Sequence, residues 1–144
     1  MKQIFFTGIL IFAFCFTSFT QDRNFSPLDI FGKVSVNAEK ARLDNLFITL
    51  SRDKTYEGII VLEFDKNIST DKKIARIKRI IKWSKFRKFE LNRITFMFSQ
   101  EDSEQTVFLS LPSSSKLLEN LAKNYKSVKA EEFTQKIKEL FPEK

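Results

Sequence analysis

Gly58-Ile59-Ile60-Val61-Leu62-Glu63-Phe64-Asp65 is the stretch on which the fold turns. Four apolar residues in a row, three of them β-branched, stand between a glycine and an acid. A run of this length with no polar side predicts a strand buried on both faces, at the centre of a sheet. Upstream, Asp53 to Gly58 is polar and turn-like, and before it Leu43, Leu46, Phe47 and Leu50 repeat at i, i+3, i+4 and i+7. That is one apolar stripe on a helix over residues 38–52, with Asn37 as the expected cap. Lys33-Val34-Ser35-Val36 alternates and reads as a short edge strand behind an irregular lead-in, residues 21–32.

Downstream, Ser69 or Thr70 caps a second helix reaching Lys82 or Ser84, with Ile74, Ile77, Ile80 and Ile81 turned inward. Residues 93–98 and 105–111 each alternate apolar with other residues, and the segment between them, residues 99–104, holds no apolar side chain. The pattern predicts a β-hairpin. Pro112 ends it, and two amphipathic stretches, residues 116–125 and 129–141, form a C-terminal helical tail. The expected fold class is α+β, a βαβαββ mixed sheet with helices on one face, over residues 33–111, followed by the helical extension 112–144.

The first twenty residues have a different character. Lys2 precedes an apolar stretch from Ile4 to Phe16, and Ser18 and Thr20 follow at the −3 and −1 positions of a cut before Gln21. This is the layout of a secretory signal peptide over residues 1–20, shorter than a membrane span, and it predicts an exported, envelope-associated protein of the periplasm or the extracellular space without a transmembrane segment in its mature form; the alternative reading of the segment is a retained membrane anchor. Removing it removes Cys15, the only cysteine, so no disulfide is expected. With no histidine in the chain, Ser-His-Asp and Cys-His catalysis and nearly all zinc chemistry drop out.

Charge is the strongest local anomaly. Residues 72–93 hold ten basic side chains against one acid, Glu90. Helical spacing sets Lys72, Arg76 and Arg79 across from the isoleucine arc, which predicts an exposed basic patch of Lys72, Lys73, Arg76, Arg79, Lys82 and Trp83. Trp83 has two readings. On a helix that continues, it joins the cations and stacks on a planar or anionic partner; on one ending by Lys82, it folds back with Phe86 and Phe89 to close the core.

Leu43-Asp44-Asn45-Leu46-Phe47-Ile48-Thr49-Leu50, the run from Gly58 to Asp65, and Ala75-Arg76-Ile77-Lys78-Arg79-Ile80-Ile81 together resemble the OmpA-like periplasmic domain, whose members bind peptidoglycan. Residues 39–45 are also similar to a segment of small exported bacterial proteins with degenerate versions of that domain. The resemblance implies that Asp65 and Arg76 hold the diaminopimelate of a peptidoglycan stem peptide. The chain departs from the family in a shorter connection between those two residues and in Gln105-Thr106-Val107-Phe108 where an Asn-Arg-Arg motif belongs.

The function expected is therefore a non-catalytic envelope binding or accessory domain. Its partner is peptidoglycan or another anionic envelope polymer or lipid headgroup, with no cofactor, metal or nucleic acid. An alternative is an interaction module docking a protein partner through its C-terminal helices. The third reading is a carboxylate hydrolase built on Glu63 with Asp65, or on the loop acids Glu101, Asp102 and Glu104.

Overall fold

The computed structural model describes residues 26–142, and the predicted signal peptide lies outside them. In chain order the elements are β1 (Asp29–Phe31), α1 (Val36–Ser51), β2 (Tyr56–Asp65), α2 (Thr70–Phe86), a 3-10 turn (Leu91–Arg93), β3 (Ile94–Glu101), β4 (Gln105–Pro112), α3 (Lys116–Asn124), β5 (Lys126–Lys129) and α4 (Phe133–Leu140). The strands form one mixed α+β sheet in the order β1-β4-β2-β3-β5.

The apolar run takes the middle of that sheet. β2 lies parallel to β3 and antiparallel to β4, so both its backbone edges are paired and both its faces are covered. Ile60, Leu62 and Phe64 join a large core with Leu43, Leu46, Phe47, Ile77, Ile80, Phe96, Phe108 and Phe133, beneath α1, α2 and α4. Ile59 and Val61 face the other way, into a second core with Met97, Val107, Leu109, Leu111 and Leu121 of α3. The parallel β2–β3 pair requires a crossover, and α2 supplies it.

Several expectations change. The predicted hairpin does not form, because β3 and β4 lie on opposite sides of β2. Its polar linker instead steps over the end of that strand. The four Cα–Cα steps from Glu101 to Gln105 reach about 13 Å, more than the roughly 9.6 Å across two strand spacings. Burying both edges of the most apolar strand outweighs the local turn. Lys66 N–H donates to the Glu101 carbonyl at 3.1 Å and so fastens the strand end beneath the linker.

The edge strand is Asp29–Phe31, within the predicted lead-in, and it pairs with β4. Residues 33–36 instead lead into α1, capped by Ser35 rather than Asn37: the Ser35 hydroxyl accepts from Ala38 N–H at 3.2 Å. α1 and α2 pack together on one face of the sheet, as expected, and α4 joins them there, while α3 of the C-terminal extension covers the other face. The C-terminal extension belongs to the fold. β5 pairs with β3, and Phe133 of α4 packs against Phe96 and Phe98.

Two local devices seat α1 on the sheet. Gly58 lies under the helix end, where a Cβ would come within 2.7 Å of Leu50 Cδ1. Arg93, counted in the basic window, donates to the carbonyls of Leu50, Asp53 and Tyr56 at 2.7, 2.8 and 2.9 Å. It thereby satisfies a helix-end carbonyl and the turn beyond it.

Candidate functional site

Among the described residues no helix is long and apolar enough to cross a membrane, and the chemistry lies on the two sheet faces. Asp65 and Arg76, the ligand pair implied by the resemblance, are not brought together. Strand alternation turns Asp65 toward the α3 side with Ile59 and Val61, whereas Arg76 belongs to α2. Asp65 Oδ1 accepts from Asn67 N–H at 2.7 Å and shapes its own turn. Arg76 is buried, and its Nε, Nη1 and Nη2 donate to Glu39, Glu104 and Thr106 at 2.7, 2.8 and 2.8 Å.

The predicted basic patch is therefore redrawn. Arg76 leaves it for the buried pair with Glu39, and Arg79, half-exposed, donates to the other oxygen of the same carboxylate at 3.0 Å. Lys73 is buried with its ammonium 5.6 Å from the Phe64 ring centroid. The buried side of α2 is centred about 40° from the middle of the isoleucine arc at 100° per residue. A buried carboxylate neutralises the arginines, and that lets the helix roll. Lys72, Lys78, Lys82 and Lys85 remain exposed. No periodicity in α2 could reveal this, because Glu39 comes from a different helix.

At its C-terminal end α2 runs past Lys82 to Phe86. Phe89 turns inward, stacking on Phe47 with centroids 4.6 Å apart, and Trp83, half-buried, also packs against the main core. Phe86 does not close the core; it is 68% exposed and lies against Trp83 at 5.0 Å and 23°. The Trp83 indole N–H donates to Asp44 Oδ1 at 3.0 Å. Cations flank its ring, with Lys40 Nζ 4.6 Å and the Arg87 guanidinium 5.7 Å from the centroid. Arg87 also pairs with Asp44 at 3.0 Å, and Ile48 of α1 is 54% exposed beside this cluster. Asp44, Ile48, Arg87 and Lys88 line a shallow groove there, floored by Phe47 and Phe89.

The chain leaves α2 through Lys88, a non-glycine residue at φ 56°. Phe89 N–H bonds back to the Ser84 carbonyl and Arg87 N–H to that of Trp83, both at 2.9 Å. This left-handed closure holds Arg87 and Lys88 beside the aromatic pair.

The opposite face carries the acids of the hydrolase reading. The β2 register sets Glu63 between Ser99 of β3 and Gln105 of β4. Glu63 is 5% exposed, and no ion pair neutralises it among the described residues. Burial, and secondarily the nearby Glu101 carboxylate, push its carboxyl up to about 7. The Ser99 hydroxyl oxygen is buried without a hydrogen-bond partner among the described residues. Two of the loop acids are separately engaged: Asp102 pairs with Lys66 at 2.6 Å and Glu104 with Arg76 at 2.8 Å. No group of three or more acidic or thiol side chains suited to a metal occurs among the described residues.

The apolar sides of the C-terminal helices are turned to the sheet, through Leu117, Leu118 and Leu121 in α3 and Phe133, Ile137 and Leu140 in α4. No family model, curated protein or solved structure matches the chain.

Proposed function

We propose that this protein is an exported, non-catalytic binding or accessory domain of the cell envelope, engaging an anionic envelope component through the outer face of α1 and α2. The observation that carries the reading is Phe86, largely exposed and stacked on Trp83 at a helix end flanked by Lys40, Lys82, Lys85 and Arg87. Cations around an aromatic pair whose outer ring is exposed combine long-range attraction with a short-range contact. Export is supported by the order of charge, apolar run and small residues in positions 1–20. The OmpA-like likeness enters as a scaffold put to another use. With Arg76 held by Glu39 and Glu104, the diaminopimelate contact it would supply is spent inside the protein.

The test is retention of the protein on purified peptidoglycan sacculi, on lipopolysaccharide and on vesicles of anionic lipid, at low and at high salt. Salt-sensitive retention on at least one, lost in the Lys82→Glu/Lys85→Glu variant and kept in Asp65→Ala, is the expected outcome. Retention on none at low salt refutes the reading. Loss in Asp65→Ala alone returns the function to a wall-peptide pocket.

A further inference from the structure

The outer face of α1 and α2 is apolar at its tip and cationic around it, a combination that distinguishes between anionic partners. Phe86 and Ile48 are 68% and 54% exposed, and the Trp83 ring lies against Phe86. Lys82 and Lys85 are exposed one helical turn or less from Phe86 along α2, with Arg87 and Lys40 beside the indole. Asp44 is the acid within this cluster, and it is already engaged by Arg87 and by the indole N–H. A hydrated polyanion offers phosphates, carboxylates and sugar hydroxyls, none of which removes Phe86 and Ile48 together from water. An anionic bilayer offers headgroup charge to the lysines and hydrocarbon to the two apolar tips.

Resting on the reading just proposed, we infer that this face docks on an anionic lipid bilayer, with Phe86 and Ile48 entering the headgroup–acyl boundary and Lys82, Lys85 and Arg87 engaging lipid phosphates. Aromatic and aliphatic tips supply the depth, and the cations supply the selectivity for negative lipid. The shallow groove beside Ile48 then lies at the membrane surface.

Trp83 is the only tryptophan in the chain, so its emission reports this face and no other. The full chain is titrated with vesicles of phosphatidylcholine, with and without phosphatidylglycerol, and with brominated lipid as a quencher. Contact made only through the apolar residues 4–16 leaves Trp83 unquenched. The expected result is a blue shift and quenching with the phosphatidylglycerol vesicles alone, reversed by salt. Phe86→Ala weakens the partition roughly tenfold, and Lys82→Glu/Lys85→Glu weakens it on the order of a hundredfold or more. Circular dichroism checks that both variants keep the fold, since all three positions are exposed. Unquenched Trp83 with retained binding to sacculi or lipopolysaccharide overturns the bilayer and leaves the anionic-component reading standing. Quenching that Phe86→Ala does not change overturns insertion. Absence of every kind of binding overturns both.

Discussion

Replacing Glu63 with glutamine tests how the second sheet face is electrostatically arranged. In the unfolded chain this carboxyl titrates near 4.5, and in the folded protein burial and Glu101 move it to about 7. The folded state therefore binds the proton more tightly, so the group's contribution is most favourable below the unfolded value. It declines as pH rises from about 4.5, and the loss is complete just above about 7. The gap corresponds to a cost of up to about 3 kcal/mol at alkaline pH. Glu63→Gln keeps the shape and removes the ionisation, so the variant escapes that cost. Thermal unfolding of both proteins between pH 4.5 and 8.5 measures it. At several degrees per kcal/mol for a domain of this size, the variant's Tm should exceed the wild type's by on the order of 10 °C at pH 8.5, with the difference shrinking toward pH 4.5. Two Tm curves running parallel across that range would refute the assignment of a proton-holding carboxyl to this position.

The remaining predictions concern packing and the ion-pair core. Glu39→Ala leaves Arg76 buried with part of its neutralisation gone and should cost about 3–5 kcal/mol in urea unfolding; Lys82→Glu, on the exposed side of the same helix, should change stability by less than about 0.5 kcal/mol. Gly58→Ala pushes a methyl into Leu50 and should destabilise by about 1–3 kcal/mol. Lys88→Gly relieves the left-handed backbone at that residue and should raise stability by about 0.5–1 kcal/mol in the same assay, with the helical signal unchanged.

The residues that specify their own environment were legible from the sequence. Ile59 to Leu62 have no polar side, so their central, doubly covered strand follows from the run alone, and the stripe of α1 and the Ser69 cap of α2 follow in the same way. The partners of β2 were not legible. Alternation marks residues 94–98 and 105–111 as strands, but only competition for the edges of the apolar strand decides that they flank it. β5 was missed because Lys126-Ser127-Val128-Lys129 has a single apolar residue, and its pairing comes from the open backbone edge of β3. The inward turn of Arg76 depends on Glu39 and Glu104, acids 37 and 28 residues away, and spacing within one helix carries no trace of either. At the candidate surface, the cations and Trp83 could be read from the sequence. That Phe86 stays outside while Phe89 goes in follows from the left-handed closure at Lys88, a position no glycine announces.

The way β2 is flanked also bears on when this protein can acquire its shape. Asp29 finds its partner in Phe108, and Tyr56 finds its own in Pro112. A chain emerging N-terminus first, from a ribosome or through a pore, thus holds its first strand unpaired and its most apolar strand half-paired until most of its length is out. Such late closure holds the sheet open until most of the chain has emerged, and it keeps the early segments threadable for as long as the C-terminal third is still to come.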